Sequence, residues 1–517
     1  MKINKIYIVS LCALFLSSCN NFLDEQPTGT MTTDSKLTSK ESALALTNSA
    51  YLKNTVFNKM TPGWGCNTIL LLEYMTGKAT SENSQSNYKD FQDLLVSDRS
   101  LYIENWWQDC YAGIANWWQD CYAGIANCNL ALQKLGEFEN LDASLINGYM
   151  AEVKFMRALY YFYLVRIFGD VPKITTVQSE LGELQVSRAP VKEIYDEIII
   201  PDLLEAEQSD LAFSDHTGRV SMGAVKALLA DVYLTYAGYP LQGGKSYYAE
   251  SAKRSLEVIK SNEYTLFTDY ESLRLPSQNN KGEFIYQVQF SLNKRHNESV
   301  RIFLPSRSGI SAYDLEYGSL IPTKEFVESF EKGDKRTEEK QYFFTNYKGH
   351  PSKFSPGAAE LEFMDLNGYY IYKFFDQVAI DNTAKSDLNW SVYRYTDVLL
   401  MYAEAQVNAD GTPNQQSIDI VNQIRGRAGL VPFKQTNASA FLEEVWDQRY
   451  FDLCYENKMW FDMLRTRKIR DDKSGEYVDF IGYKTNWGKV YTETQLLFPI
   501  PLSERQANSN LTQNQGY

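Results

Sequence analysis

Histidine is scarce in this chain, with three residues among 517, and His216, His296 and His350 stand far apart in loop-like sequence. None of them has the spacing of a zinc site, and neither HExxH nor CxxC occurs. A GxSxG elbow and a phosphate-binding glycine loop are missing as well. We therefore expect no metal, no cofactor and no nucleophilic catalysis.

Cysteine is also sparse, with seven residues, of which Cys12 and Cys19 lie in the N-terminal leader. The other five form an odd set without paired spacing, which predicts buried thiols and not a disulfide framework. They are Cys66, Cys110, Cys121, Cys128 and Cys454.

Long apolar runs are missing after the leader. Lys2 and Lys5 precede an eleven-residue apolar run at 6–16, which is shorter than the roughly 20 residues of a spanning helix. Residues 1–18 therefore read as a signal peptide. The segment Leu16-Ser17-Ser18-Cys19 looks like a bacterial lipobox and predicts a lipid attached to Cys19, with palmitate among its acyl chains; the alternative is a plain secretory signal with an incidental Cys19.

The chain has no excess of positive charge. It contains 51 Lys and Arg against 65 Asp and Glu, which gives a net charge of −14. This balance argues against nucleic acid and anionic lipid as partners. Aromatic residues make up 14% of the chain, and their rings suit both core packing and sugar stacking. The many carboxylates leave a glycoside hydrolase pair open as an alternative.

Apolar residues recur at offsets 0, 3, 4, 7 and 11 in three segments, which predicts helices with one apolar face. The three sets are Met156, Leu159, Tyr160, Tyr163 and Ile167; Val225, Leu228, Leu229, Val232 and Tyr236; and Val398, Met401, Tyr402, Ala405 and Ala409. Two of the segments continue through short connections into second helices, 223–237 into 248–259 and 397–409 into 416–427. Alanine-rich pairs of this kind predict tetratricopeptide-like packing.

Helix ends and loops are also readable. Thr38 and Glu41 predict a capping box, and Gly169 followed by Pro172 ends the helix at 155–168. Between 270 and 389 the helical pattern gives way to short strand-like pieces such as Phe284–Val288. Loops on a helical scaffold are where binding residues concentrate.

Several charged residues fall within these helices and motifs. We interpret Glu404 as a solvated or interhelix hydrogen-bonding side chain rather than a catalytic one. Arg157, Arg394 and Arg425 are interpreted as scaffold residues that tie helices together.

The eleven residues NWWQDCYAGIA occur twice in succession, at 105–115 and 116–126. Eleven residues make three helical turns plus about 20°. Three alternatives are open: both copies lie in one helix in register, one copy bulges out, or the duplication is a sequence artefact.

The succession of motifs resembles the SusD/RagB family of Bacteroidota-type outer-membrane lipoproteins. The stretches that carry the resemblance are NFLD from Asn21 with Pro27, AEVKFMRALYYFYLVRIFGDVP from Ala151, SRAPVKEIYDEI from Ser187, GRVSMGAVKALLADVYL from Gly218, RYTDVLLMYAEA from Arg394, VNQIRGRAGL from Val421, 449–465 with Trp460-Phe461-Asp462, Pro499-Ile500-Pro501, and the final QNQGY. The departure is the doubled NWWQDCYAGIA, since the family shows a single Trp-containing helix start. The second copy continues into Asn127, so we take the first as the insertion.

The resemblance implies a mostly α-helical fold, in which an irregular tetratricopeptide-like scaffold carries a loop-rich ligand region with short strands. It also implies glycan binding and docking onto a SusC-like TonB-dependent transporter. The expected organisation is a signal peptide at 1–18, a lipidated tether at 19–36, an N-terminal helical region at 37–269, a ligand region at 270–390 and a C-terminal helical region at 391–517. The last three are expected to form one interlocked unit.

Candidate ligand residues are loop aromatics that no helical period assigns to the core. Trp64 stands in the turn Pro62-Gly63-Trp64-Gly65, and Tyr313 and Tyr317 lie in a Gly/Ser-rich run before Pro322. Tyr74 and Arg301 complete the set.

The leading hypothesis is a non-enzymatic lipoprotein, anchored in the outer membrane and facing the exterior, that binds an oligosaccharide or polysaccharide and delivers it to the transporter. The alternatives are a peptide-binding RagB-type lipoprotein, a tetratricopeptide scaffold without a small ligand, and a lipid-anchored glycoside hydrolase.

Overall fold

The structure, a computed structural model, describes residues 38–58, 60–61, 66–82, 89–98, 113–178, 185–312, 316–348 and 363–517. Helices dominate this part of the chain, so the expectation of a mostly α-helical fold is confirmed. The helices are α1 Lys40–Tyr51, α2 Thr68–Met75, α3 Lys89–Gln92, α4 Gly113–Leu135, α5 Ala143–Phe168, α6 Val191–Ile194, α7 Ile200–Glu207, α8 Met222–Ala237, α9 Lys245–Ser261, α10 Lys324–Glu328, α11 Gln377–Asn382, α12 Tyr395–Asp410, α13 Gln415–Arg427, α14 Ala438–Asp452, α15 Met459–Thr466 and α16 Leu502–Ala507.

Strands are short and pair two by two in the described residues. They are β1 Met60–Thr61, β2 Cys66–Asn67, β3 Ala79–Thr80, β4 Val171–Pro172, β5 Arg188–Ala189, β6 Phe284–Val288, β7 Ile321–Pro322, β8 Phe343–Lys348, β9 Phe363–Ile371, β10 Trp390–Arg394, β11 Lys468–Arg470 and β12 Tyr477–Asp479. The strand predicted at Phe284–Val288 is confirmed, and its antiparallel pairing with β10 joins the two ends of the predicted ligand region.

The long helices stack in pairs. The helix α4 packs on α5, α8 packs on α9, and α12 packs on α13, while α9 also packs against α12 and so connects the two predicted pairs. The prediction of one apolar face per helix is wrong for α5, α8 and α12, since side chains all round these helices are buried. Neighbours cover more than one side of each helix, which a periodic pattern within one segment does not reveal.

The predicted helix ends are partly correct. Gly169 follows the last residue of α5 with φ 74° and donates its N–H to the Val165 carbonyl, as expected of a glycine stop. The capping box at Thr38 is wrong, because Ser39 is the N-cap of α1 and its Oγ accepts the N–H of Ser42 at 3.1 Å.

The predicted scaffold arginines all form ion pairs between elements. Arg157 of α5 holds Asp202 of α7 through Nε and Nη2, both at 2.7 Å. The remaining pairs are Arg425 with Glu331 and Glu444, Arg394 with Glu283, Asp452 and Glu456, and Glu404 with Arg465. These partners come from distant parts of the chain, so the side chains fasten helices and loops together as predicted.

The cysteine prediction is confirmed where the side chains are described. Cys121, Cys128 and Cys454 are free and buried. Burial raises the pKa of each of these thiols, to about 12 for Cys454.

The second copy of the duplicated segment lies entirely in α4. Trp117 and Trp118 are buried, and the indole N–H of Trp117 donates to the Val56 carbonyl at 2.9 Å. Most of the first copy lies outside the described residues.

Candidate functional site

Two segments of the predicted ligand region run side by side and bring candidate residues together. Backbone hydrogen bonds join Tyr317 N to the Arg301 carbonyl at 3.2 Å and Gly318 N to the Leu304 carbonyl at 2.8 Å. Ser319 N donates to the Ile302 carbonyl at 3.0 Å. The segment around Tyr317 is therefore held along the short 3₁₀ turn Ser299–Arg301.

Arg301 and Tyr317, two of the predicted ligand residues, are in direct contact. The Arg301 Nη1 lies 3.0 Å from the Tyr317 hydroxyl, and the guanidinium carbon lies 5.0 Å from the centre of the ring. Arg301 is mostly buried, whereas Tyr317 is half-buried. A guanidinium so close to an aromatic face is attracted to its π-electrons.

Glu298 completes this constellation from one turn before Arg301. One of its carboxylate oxygens accepts Arg301 Nη2 at 2.5 Å and the other lies 2.6 Å from His296 Nε2. Burial would raise the pKa of Glu298, but hydrogen bonding to His296 and the charge of Arg301 outweigh it and hold the pKa below its ordinary value. We call residues Glu298, Arg301 and Tyr317 the Arg–Tyr surface.

Tyr74, predicted to contact ligand, lies in the core instead and is 1% exposed. It belongs to α2, and its hydroxyl donates to the Ser319 carbonyl. The ring thus offers no face to a ligand, and Tyr74 supports the segment that carries Tyr317 from beneath.

Glu82 fastens the same segment from the outer side. Its backbone N–H donates to the Gly318 carbonyl at 3.0 Å, and its carboxylate accepts the Ser306 N–H at 2.5 Å and the hydroxyl of Tyr370. Gly318 has φ 56°, and a Cβ there would lie 2.3 Å from a Glu82 oxygen. Glycine is therefore required for this close approach.

Trp64 and Tyr313, the other predicted ligand residues, lie outside the described residues, as does Cys19. Sequence reasoning missed Glu298, His296 and Glu82. The run His296-Asn297-Glu298-Ser299-Val300-Arg301 carried a usable signal, since a Glu and an Arg three residues apart meet in a helical turn.

The Arg–Tyr surface combines a planar cation, a carboxylate and an aromatic ring within one patch. Such a set offers hydrogen-bond donors and acceptors for hydroxyl groups and an apolar face for stacking. Among the described residues, no three His, Cys, Asp or Glu side chains are grouped so that they could hold a metal ion. No described helix is both long and apolar enough to cross a membrane.

A stack of helix pairs that carries long loops with short strands defines an α-helical-repeat protein. A family model described as "SusD family" matches residues 277–517, and one described as "Starch-binding associating with outer membrane" matches residues 21–234. The chain belongs to the SusD family.

Individual relatives agree with this assignment. A crystal structure of a SusD superfamily protein from Parabacteroides distasonis ATCC 8503 is 96% identical over 93% of this chain and 100% of that chain, with a TM-score of 0.89. The "SusD-like protein P2" of Formosa agariphila is 26% identical over 99% of both chains. A solved "Laminarin binding SusD-like protein" shares the fold, with a TM-score of 0.72 and 23% identity over 93% of this chain and 100% of that chain.

Proposed function

We propose that this protein is a non-enzymatic glycan-binding protein of the bacterial outer membrane and that the Arg–Tyr surface is part of its ligand site. The observation that carries the proposal is the half-buried ring of Tyr317 held against the Arg301 guanidinium. The ring would stack on a sugar, while Arg301 would donate hydrogen bonds to hydroxyl groups and Glu298 would accept them.

The relatives support a glycan over the other ligand classes. One matching family model is described as starch-binding, and one solved relative is described as laminarin-binding. Those ligands are stated for those proteins; for this chain the proposed class is an oligosaccharide or polysaccharide. Trp64 and Tyr313 remain proposed ligand residues.

Affinity gel electrophoresis tests the ligand class. The purified protein should be retarded by at least one polysaccharide in a panel that contains starch, laminarin, xylan and pectin. A parallel assay for reducing sugar should detect no release from that polysaccharide. Retardation by none of them together with binding of peptides would favour the RagB-type alternative, and release of reducing sugar would favour the hydrolase.

Calorimetric titration of the retarding glycan locates the site. Replacing Tyr317 by alanine should weaken binding about 5- to 30-fold, since an aromatic contact contributes on the order of 1–2 kcal/mol. Tyr317→Phe should lose less, because it keeps the ring. Tyr248→Ala, which removes another half-buried tyrosine, in α9, is the matched control and should bind like the wild type. Wild-type affinity in Tyr317→Ala would exclude this surface.

We further propose that Cys19 carries lipid and that the protein delivers its glycan to a SusC-like TonB-dependent transporter at the exterior of the cell. Two or more acyl chains anchor a protein stably. Palmitate-analogue labelling and membrane fractionation should both be lost in Cys19→Ala, and mild-detergent purification of the wild type should recover a transporter-sized partner. Labelling of the variant, or recovery of the wild type alone in several detergents, would contradict the respective proposal.

A further inference from the structure

A separate cleft of about 620 Å³ opens where the C-terminal ends of α5 and α15 meet the last residues of the chain. It shares no residue with the Arg–Tyr surface. Its volume falls within the roughly 300–1,000 Å³ of small-molecule sites. The cleft is therefore large enough to hold a sugar ring.

The cleft is basic although the chain is acidic. Five basic and two acidic side chains line it, whereas the whole protein has a net charge of −14. The basic side chains are Arg166, Arg188, Lys192, Arg465 and Arg467. A basic side chain in such a cleft that lacks a paired carboxylate favours an anionic ligand.

Four of these five side chains already have partners. Lys192 pairs with Asp196, and Arg166 Nη1 lies 3.8 Å from an Asp231 oxygen. Arg465 is paired with both Glu404 and Asp462, so its charge is compensated. Arg188 donates to neutral acceptors, among them the Asp170 carbonyl at 2.7 Å and the Thr512 carbonyl at 2.9 Å. It thereby ties the C-terminal segment to the end of α5, and its charge remains in the cleft.

Arg467 has a different arrangement. Its Nη1 donates to the Leu464 carbonyl at 2.7 Å. Within the described residues, its Nε and Nη2 have no hydrogen-bond partner and no carboxylate lies within 4 Å of its guanidinium. In Arg157 the same two donors hold the Asp202 carboxylate in a bidentate pair. The Nε and Nη2 edge of Arg467 has the geometry to bind a carboxylate, and it is unoccupied within the described residues.

The backbone at Arg467 is compatible with glycine. The residue follows α15 in the left-handed conformation, with φ 56°. Glycine is the usual residue at this position after a helix, and a residue with a Cβ is strained there. Replacing Arg467 by glycine would therefore remove the side chain without straining the backbone.

The side chains around Arg467 suit contact with the ring and the hydroxyl groups of a sugar. The Tyr239 ring is 40% exposed, and its centre lies 5.0 Å from the Arg467 guanidinium carbon. The Tyr239 N–H donates to the Arg465 carbonyl at 2.9 Å, which fixes the ring beside α15. Leu464 and Leu497 line the cleft with apolar side chains, and Thr494 adds a hydroxyl group suited to sugar hydroxyls.

We propose that this cleft binds a carboxylate-bearing sugar, with the carboxylate on the Nε and Nη2 of Arg467 and the sugar ring against Tyr239. The site is independent of the proposed glycan surface. An acidic sugar residue such as a uronic acid supplies the required carboxylate, ring face and hydroxyl groups together.

The test is titration of the full-length protein with sodium glucuronate, monitored by calorimetry or by ligand-observed NMR. Glucose and N-acetylalanine are the comparison ligands, since the first lacks the carboxylate and the second lacks the sugar. Glucuronate should bind saturably and more tightly than either. Equal binding of glucose or of N-acetylalanine, or no binding of glucuronate, would overturn the proposal.

Three variants distinguish ligand binding from a structural role. Arg467→Gln should weaken glucuronate binding at least about tenfold. Arg467→Gly should abolish it with an unchanged or higher Tm, because glycine relieves the left-handed backbone. Lys468→Gln removes the adjacent positive charge, which pairs with Asp479 outside the cleft, and should bind glucuronate normally.

Retained binding in Arg467→Gln, or an equal loss in Lys468→Gln, would overturn the assignment. Tyr317→Ala should leave this binding intact, so that failure here and failure of the proposed glycan site are separable.

Discussion

At the scale of single residues, Glu73 is a carboxyl group that the fold keeps out of water. Its side chain is 1% exposed, and one oxygen accepts the Asn457 N–H at 2.8 Å. Among the described residues, its other oxygen accepts no hydrogen bond. Burial raises the pKa of Glu73 to about 8, although the Asn457 N–H and the charge of Lys373 oppose the rise. The folded protein therefore holds a proton that the unfolded chain releases near pH 4.5.

This difference makes stability fall as pH rises from about 4.5 to 8, because the folded state binds more protons than the unfolded state there. Glu73→Gln mimics the protonated form and should remove the effect, which amounts to at most about 1.4 kcal/mol per pH unit. Thermal melts at pH 5, 6, 7 and 8 should show a Tm advantage of the variant that grows with pH. Glu456→Gln is the buried control: burial opposes ionisation of Glu456, but Arg394 and Lys373 outweigh it and lower its pKa, so this variant should melt lower at neutral pH. If the Tm of the wild type and the Tm of Glu73→Gln change equally with pH, the prediction is contradicted.

The residue scale is also where sequence reasoning was least complete. Arg301 and Tyr317 were both predicted as ligand residues, but their contact depends on two loop segments that pair through backbone hydrogen bonds. Tyr74 was misassigned because it was treated as a loop aromatic. The preceding apolar run Ile69-Leu70-Leu71-Leu72 indicated a buried helix.

At the scale of secondary-structure elements, Gly124 allows α4 to approach α5. A Cβ at Gly124 would lie 2.5 Å from a ring carbon of Tyr160. The ring has little freedom to move, since it is fully buried and its hydroxyl donates to the Ala50 carbonyl at 2.9 Å. The glycine of the second NWWQDCYAGIA copy is therefore a packing residue.

Gly124→Ala should destabilise the protein by about 1–3 kcal/mol through overpacking, despite the better helix propensity of alanine. Gly148→Ala is the matched control, because Gly148 lies within α5 and a Cβ there would contact nothing within 4 Å. That variant should be stabilised by up to about 1 kcal/mol. Urea denaturation measures both changes. A Gly124→Ala variant as stable as Gly148→Ala would show that α4 and α5 adjust freely.

The elements themselves were largely predictable from the sequence. The helices α5, α8 and α12 and the glycine stop at Gly169 follow from local patterns. The sequence placed the N-cap at Thr38, one residue before Ser39, because both side chains carry a hydroxyl group that can cap a helix. The burial of α8 and α12 on all sides arises from contacts with helices distant in the chain, so a local period does not contain it.

At the scale of the whole molecule, a buried ionic cluster connects parts of the chain that are far apart in sequence. Arg394 at the end of β10 donates to Glu283, to Asp452 of α14 at 3.1 Å and to Glu456 at 2.8 Å. Arg427 of α13 binds Glu283 at 2.7 Å and Asp452 at 3.0 Å. Burial opposes ionisation of Asp452, but Arg427 and Arg394 outweigh it and hold its pKa below the ordinary value. The cluster thus fastens the start of β6 to the C-terminal helices.

Breaking this cluster should cost far more than breaking a surface pair, because the remaining charges cannot regain water. Arg394→Met removes a guanidinium that is 2% exposed and takes one cation away from three buried carboxylates, which leaves Glu283 and Asp452 with Arg427 and Glu456 with Lys373. We expect a loss of about 3–5 kcal/mol in the free energy of unfolding. Lys134→Met is the control, since its pair with Glu137 is partly exposed, and it should cost less than about 1 kcal/mol. Urea denaturation of both variants gives the comparison. A double-mutant cycle of Arg394→Met with Glu456→Gln should show strong coupling, because Glu456 is one of the charges that Arg394 compensates. Additive effects, or a loss in Arg394→Met no larger than in Lys134→Met, would mean that the cluster does not hold these regions together.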